Sequence, residues 1–306
     1  MMRAIRATAM TALCCTVAGA GLLAREEATA TQLQPASVTT VQKAHGSALS
    51  GARKIRVAGH SVNVSCSGRP AADRPVVVLM AGGGDGLDKL ADLQKTLSKK
   101  DRVCSYDRLG EGASDRPDGL QTFTDSGRIL TAVLDRIAGD GPVVLAGHSL
   151  GGLIAARYAP DHQDRVKGLV LMDATIPTLS ADISKVIPES ATGQVAELRA
   201  QTLAVNEGQN PEKIVIADAE VRSAGDIPVE IIKHDKQYDS VPEYGPALER
   251  MWSEGQRRWR AISSRSTLGT AAGSGHYIYV DRPDLAVRAV QRVTAQAAGH
   301  GGRPTR

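Results

Sequence analysis

Aromatic residues are scarce in this sequence, and their scarcity excludes one class of function. Phe, Trp and Tyr make up 3% of the 306 residues, and Phe123 is the single Phe. The formal net charge is only +4, with Lys and Arg scattered along the chain. Proteins that bind nucleic acids typically carry clustered positive charge, often with aromatic side chains that stack on bases. We therefore expect no nucleic-acid partner.

Long apolar runs are also few, and the longest lies at the N-terminus. Arg3 and Arg6 precede an apolar run over 7–24, and small residues follow at 28–30. This pattern predicts a secretory signal peptide over 1–30. A membrane-spanning helix is the alternative, but the run is only marginally long and is rich in Ala, Thr and Gly. We expect a secreted, periplasmic or cell-envelope protein with no stable membrane span after cleavage.

The remaining chain divides into a polar segment, a large domain and a short tail. Residues 31–52 are rich in Thr, Gln, Ser and Ala, which predicts a disordered linker. The hydrophobic content of 42% is sufficient for one large α/β domain, which we place at 53–297. Residues 298–306 are expected to form a flexible tail.

The most informative stretch is an apolar run that ends abruptly in Gly-His-Ser-Leu-Gly. The run over 143–146 is β-branched and apolar, and small and apolar residues at helical spacing follow the motif. This pattern predicts a strand, a sharp turn and a helix. Gly147 and Gly151 flank Ser149 at the spacing that leaves no side chain to obstruct the turn. Ser149 is therefore predicted to be an exposed nucleophile.

Gly-His-Ser-x-Gly-Gly resembles the corresponding turn of esterases and lipase-like serine hydrolases of the α/β-hydrolase family. Asp107-Arg-x-Gly-x-Gly-x-Ser114 and the later Gly275-His276-Tyr-Ile, followed by Asp-Arg-Pro, resemble two further loops of that family. The resemblance implies an α/β-hydrolase fold. Its sheet is mostly parallel and eight-stranded, with helices on both faces and a small helical cap. It implies no cofactor, and no residue spacing suggests a metal site.

The glycine-rich loop after the third strand is the expected partner of the serine turn. An apolar strand over 75–81 runs into Gly82-Gly83-Gly84. In the family this loop donates a backbone amide to the oxyanion that forms during acyl transfer. The resemblance implies Gly83 as that donor, with Gly82 as the alternative. The second donor is the amide of Leu150.

The resemblance also implies the histidine and a choice of acids. His276 follows Ser149 and every candidate acid in chain order, which matches the order serine, acid, histidine. The family places the acid after the sixth or the seventh strand. Asp173 ends the sixth predicted strand, whereas Asp235 and Asp239 follow the seventh. The turn glycine that usually precedes the later acid is missing, so we favour Asp173 and keep Asp239 and Asp235 as alternatives.

Several other elements can be predicted around these motifs. Alternating residues at 54–58 and 60–66 indicate a hairpin, and apolar spacing indicates helices over 87–99 and 125–138. A long insertion at about 175–226 corresponds to the family's cap, with helices expected over 194–207 and 211–223, above Ser149.

The two cysteines of the main domain form a candidate disulfide. Cys66 lies in the second predicted strand and Cys104 in the fourth, and these strands are neighbours in the family's sheet. Export to an oxidising compartment would allow the bond to persist. The alternative is two buried thiols that act as small apolar side chains.

The chemistry implied is hydrolysis of a carboxylic ester through an acyl-enzyme on Ser149, with His276 as the general base. A small-molecule ester or other acyl compound would be the substrate. A serine nucleophile argues against the dehalogenases and epoxide hydrolases of this fold, which use aspartate. The alternatives are a peptidase or amidase of the same fold, and a non-catalytic binding protein on a hydrolase scaffold.

Overall fold

A computed structural model describes residues 49–241 and 243–300, apart from the side chain of His300. The predicted signal peptide, most of the predicted linker and residues 301–306 lie outside the described residues. Everything that the structure describes belongs to one compact unit.

Eight strands form one sheet in the order β1-β2-β4-β3-β5-β6-β7-β8. They are β1 (Gly51–Val57), β2 (His60–Ser67), β3 (Val76–Met80), β4 (Val103–Tyr106), β5 (Val143–His148), β6 (Val166–Met172), β7 (Pro228–His234) and β8 (Arg265–Ala271). The β1–β2 and β2–β4 pairs are antiparallel and the other neighbours are parallel. The predicted α/β-hydrolase fold with a mostly parallel sheet is confirmed.

Eight α-helices accompany the described strands. They are α1 (Ala91–Leu97), α2 (Phe123–Ala138), α3 (Ser149–Tyr158), α4 (Leu179–Val186), α5 (Gly193–Asn206), α6 (Gly245–Arg258), α7 (Ile278–Asp281) and α8 (Pro283–His300). Short 3₁₀ turns at Leu87–Leu90, Ala159–Asp161 and Trp259–Ile262 adjoin α1, α3 and α6. None of the helices within the described ranges is both long and apolar enough to span a membrane.

The central strands are covered on both faces, as their uninterrupted apolar sequences require. Along β5, Val143 and Leu145 face the core that α2 and α3 complete, whereas Val144 and Ala146 face the core of α1 and α8. The alternation follows from the period of two along a strand. A third apolar cluster joins α4, α5 and α6 at the cap.

Strands β2 and β4 carry the predicted disulfide. Cys66 and Cys104 are directly opposite in the antiparallel register, with Cα atoms 4.1 Å apart, and their sulfurs are bonded. The hairpin before them turns at Ala58 and Gly59, which both have positive φ angles of 47° and 86°. Such a two-residue turn matches the twist of its strands.

The structure corrects one predicted helix and two predicted boundaries. The expected helix over 211–223 is wrong, since this segment is irregular: Gln121 pairs with it through Lys213 and Val215, and the Asn210 side chain bonds Ile214. Tertiary pairing therefore overrides the helical propensity of the segment. Strand β1 begins at Gly51, inside the predicted linker, and α8 continues to His300, past the predicted start of the tail.

Candidate active site

Ser149 lies at the abrupt junction of β5 and α3, with a positive φ of 49°. A methyl group at Gly147 would lie 2.5 Å from the backbone of Gly151, and one at Gly151 would lie 2.4 Å from the carbonyl oxygens of Met80 and Ala81. Neither position can therefore hold a larger residue. The strained turn persists because the packing of β3, β5 and α3 around it leaves no other path.

Asp173 directly follows β6 and is fully buried, also with a positive φ, of 46°. Its Oδ1 accepts the His234 backbone N–H at 3.0 Å and Trp252 Nε1–H at 2.8 Å. Its Oδ2 contacts His234 Nδ1 at 2.7 Å and His276 Nδ1 at 2.6 Å. Burial opposes ionisation, but the bonds to the two histidines outweigh burial and hold the pKa of Asp173 below its usual range.

His276 lies in the loop between β8 and α7, with its side chain 23% exposed. Asp281 fixes this loop by accepting the backbone N–H of Gly275 at 2.8 Å. The carbonyl oxygen of His276 accepts from Nε2 of His148, the residue before Ser149, at 3.0 Å. The Thr175 backbone N–H donates to the carbonyl oxygen of Ser149 at 3.1 Å. The structure thus gathers the Ser149 turn, Asp173 and His276 at one place.

The two alternative acids make other contacts. Asp235 accepts the backbone N–H of Gly273 at 3.0 Å. The side chain of Asp239 is 66% exposed and lies 3.9 Å from Lys236. Within the described residues, the carboxylate that contacts the His276 ring is that of Asp173.

His148 packs against His276, with ring centroids 4.5 Å apart. Its Nε2 must carry the proton because it faces a carbonyl oxygen. Its Nδ1 is buried without a hydrogen-bond partner among the described residues. Burial, and then the nearby His276, lower the pKa of His148 to about 3, so this ring stays neutral.

The glycine loop after β3 lies against the start of α3. A methyl group at Gly83 would lie 3.3 Å from Leu150 Cδ2, so the glycine loop contacts the residue that follows Ser149. Gly82, the alternative, presents its carbonyl oxygen to Arg108 Nη2 at 2.8 Å. The next amide, that of Gly84, donates to Glu111 Oε1 at 2.7 Å.

A buried ion pair between Arg108 and Glu212 contacts the glycine loop. Arg108 donates to both carboxylate oxygens of Glu212, at 2.7 and 2.6 Å, and to the carbonyl oxygen of Ala81 at 2.7 Å. Both side chains are at most 4% exposed. Burial, and then the nearby Glu212 carboxylate, raise the pKa of Glu111 to about 7. The Asp-Arg loop therefore positions the glycine loop.

Comparison with known proteins supports the same fold. A family model described as the alpha/beta hydrolase fold matches residues 75–219, which include the Ser149 turn and Asp173. The chain has the α/β-hydrolase fold.

The relatives of this chain differ in the activities named for them. This chain is 30% identical over 122 residues to a proline iminopeptidase of Saccharolobus solfataricus, covering 39% of each chain. It is 32% identical over 125 residues to a (lyso)-N-acylphosphatidylethanolamine lipase of Bos taurus, covering 37% of this chain and 34% of that one. The matches thus span about two fifths or less of these relatives.

A solved structure supports the fold over a longer range. A carboxylesterase from Bacillus subtilis superposes with a TM-score of 0.57 at 18% identity, covering 82% of this chain and 92% of that chain. At this identity the similarity shows the fold alone.

Sequence reasoning missed three residues of this candidate site, namely His234, Glu249 and Trp252. His234 Nε2 contacts Glu249 Oε2 at 2.9 Å, and Trp252 bonds Asp173 from the same helix, α6. His234 is the last residue of β7 and directly precedes Asp235, one of the alternative acids. Because catalytic groups gather where the strands of an α/β sheet end, a histidine at this position is the sequence signal that could have indicated His234.

One nitrogen each of His234 and His276, together with an oxygen of Asp173, lie within 4.8 Å of one another, close enough for a metal ion. Both Nδ1 atoms already bond the same carboxylate oxygen at hydrogen-bond distance, and His234 is almost fully buried. We therefore assign this cluster to a hydrogen-bonded network.

Proposed function

We propose that this protein is a serine hydrolase that cleaves carboxylic esters through an acyl-enzyme on Ser149. The observation that carries the proposal is the 2.6 Å contact between His276 Nδ1 and the buried Asp173 beside the Ser149 turn. Ionised Asp173 accepts the Nδ1 proton, so Nε2 of His276 holds a lone pair. A base with this tautomer is what a serine nucleophile requires.

The reaction follows from these positions. Nε2 of His276 takes the Ser149 hydroxyl proton as Oγ attacks the ester carbonyl, and Asp173 stabilises the imidazolium that forms. The amides of Gly83 and Leu150 receive the oxyanion, and His276 then protonates the departing alcohol. Water, activated by the same histidine, releases the acid from Ser149. Each step uses only groups of this chain and water.

The ester class is supported by the match to a lipase, which is 32% identical over 125 residues. Buried side chains of the cap, among them Ile176, Ile183 and Leu248, pack with Trp252, which bonds Asp173. Amide hydrolysis is the alternative that the proline iminopeptidase match favours.

A panel of nitrophenyl esters and prolyl nitroanilide tests the proposal, with Ser149→Ala as the control. We expect turnover of the esters, a preference that varies with chain length, and loss of turnover in Ser149→Ala. Preferential cleavage of the anilide would establish the amidase alternative. A folded protein that cleaves neither class would favour a binding protein on this scaffold.

We also propose that the chain is exported. The N-terminal pattern and the Cys66–Cys104 disulfide support export, since disulfides persist in oxidising compartments. Fractionation of expressing cells should recover protein that lacks residues 1–30 outside the cytoplasm. Retention of the uncleaved chain in the cytoplasm would contradict the proposal.

A further inference from the structure

His234 is held between two carboxylates, and this sets its charge. Nδ1 lies 2.7 Å from Asp173 Oδ2 and Nε2 lies 2.9 Å from Glu249 Oε2. An ionised carboxylate only accepts hydrogen bonds, so each ring nitrogen must donate. A histidine that donates from both nitrogens is an imidazolium. His234 therefore carries a positive charge although it is buried.

Glu249 is fixed in place to hold this ring. Its Oε1 accepts the backbone N–H groups of Gln237 and Tyr238, both at 2.6 Å, which leaves Oε2 for His234. Trp252, from the same helix, stacks on the His234 ring at a centroid distance of 5.8 Å. The ring is thus held in its plane as well as at both nitrogens.

We propose that His234, kept as an imidazolium by Glu249, is a positioning residue that tunes the Asp173–His276 pair. The proposal rests on the proposed serine hydrolase function, because it assigns His276 as the base. His234 acts through Asp173, on whose Oδ2 both histidine rings converge. Glu249, His234, Asp173 and His276 contact one another in that order. In this series Glu249 is negative, His234 is positive and Asp173 is negative.

Two consequences follow for His276. The backbone N–H and the ring of His234 fix both oxygens of Asp173, so that Oδ2 faces Nδ1 of His276. The fixed cation also opposes a second positive charge on His276, because the two rings share one carboxylate. His276 should therefore stay neutral, and able to accept the serine proton, at lower pH than without His234.

The other groups that face His234 do not change this argument. The Tyr238 ring lies 6.0 Å away and stays neutral, since burial and the nearby Asp173 and Glu249 raise its pKa. Lys233 Nζ donates to the backbone oxygen of His234 at 3.0 Å. Burial lowers the pKa of His234, but the bonds and charges of Asp173 and Glu249 outweigh it and raise that pKa.

Glu249→Gln provides the test, because it removes the anion but keeps the shape of the side chain. His234 should then become neutral and keep its bond to Asp173. We expect the acidic limb of the kcat/KM profile to move to higher pH by about one unit. Glu254→Gln is the matched control, since Glu254 is exposed on the same helix. It should leave the profile unchanged.

Nitrogen-15 NMR of the histidine rings gives a readout that does not depend on activity. In the wild type, both ring nitrogens of His234 should show the shifts of a protonated imidazolium at pH 7, and in Glu249→Gln those of a neutral ring. A neutral His234 in the wild type, or an unchanged acidic limb in Glu249→Gln, would overturn the proposal. Failure of the serine hydrolase function would appear separately, as a wild type that cleaves no ester or amide.

Discussion

Asp173 is fully buried and accepts four hydrogen bonds, from three side chains and one backbone amide. Asp173→Asn would place an amide where the carboxylate now accepts the His276 proton. An amide donor there selects the wrong tautomer of the histidine. We expect kcat to fall by about 10³ to 10⁴-fold, with the fold retained, as measured by steady-state ester hydrolysis.

Asp235→Asn is the matched control for that experiment. Its carboxylate bonds the backbone of Gly273 rather than the ring of His276, so the substitution should change kcat by much less. Comparable losses in both variants would remove Asp173 from the role of the acid.

The buried, neutral His148 should make the stability of the fold sensitive to acid. Its pKa is lowered to about 3 in the fold, so the unfolded chain takes up a proton below about pH 6.5 that the folded chain does not. Stability should therefore fall as the pH drops from about 6.5 towards 3, by at most about 1.4 kcal/mol per pH unit from this residue.

His148→Gln should remove that contribution, since glutamine does not titrate and its amide can donate to the His276 carbonyl oxygen. Urea denaturation at pH 7.5 and pH 4 measures the free energy of unfolding of both proteins. The wild type should lose about 3 kcal/mol more than the variant between these values. Equal losses would show that the neutral buried His148 does not contribute to acid unfolding.

At the scale of elements, the glycine loop depends on a buried cation beneath it. Arg108→Met would leave Glu212 buried without this partner, and would remove the guanidinium donors from the carbonyl oxygens of Ala81 and Gly82. Breaking a buried pair in this way costs about 3 to 5 kcal/mol. Thermal unfolding should show this loss of stability. Steady-state ester hydrolysis should show a lower kcat. Arg222→Met removes an exposed ion pair with Asp161 and should change little.

The disulfide joins β2 and β4 across 38 residues of sequence. A closed loop of that size is expected to stabilise the fold by about 4 kcal/mol through the entropy of the unfolded chain. A double Cys66→Ala and Cys104→Ala variant should therefore unfold at a lower denaturant concentration, and a reducing agent should not affect it. If a reducing agent fully reduces the wild-type disulfide but does not change the denaturant concentration at which the protein unfolds, this account is contradicted.

The limits of sequence reasoning also appear at this scale. The strand before Ser149 and the strand before Asp173 were predictable, because each is a short apolar run that ends at a polar or glycine residue. The segment 211–223 was not, since its conformation depends on pairing with Gln121, far away in sequence. Local propensity carries no information about such a partner.

The same limit applies to the site. Ser149 and His276 could be proposed from their motifs, and Asp173 from its place after a strand. His234 could be noticed only as a histidine at the end of a strand, and Glu249 not at all, because their contacts arise only when β7 and α6 pack beside β6. No short motif joins residues on separate elements that are distant in sequence.

For the whole molecule, the sheet order explains why the site forms where it does. The parallel strands β3, β5, β6, β7 and β8 lie side by side, and their carboxyl ends share one edge. The glycine loop, Ser149, Asp173 and the His276 loop each follow one of these strands, and His234 is the last residue of β7. Ligand and catalytic sites of open α/β sheets form at this edge. The fold therefore gathers residues that are distant in sequence, as Ser149 and His276 are, 127 positions apart.

Covalent labelling tests the central claim, that Ser149 is an activated nucleophile, most directly. The purified protein is treated with a fluorophosphonate, and the adduct is located by intact-protein and peptide mass spectrometry, with Ser149→Ala as the control. We predict one adduct per chain, on the peptide that contains Ser149, and none in the alanine variant. A folded wild type that remains unlabelled, or that is labelled equally in Ser149→Ala, would contradict the account.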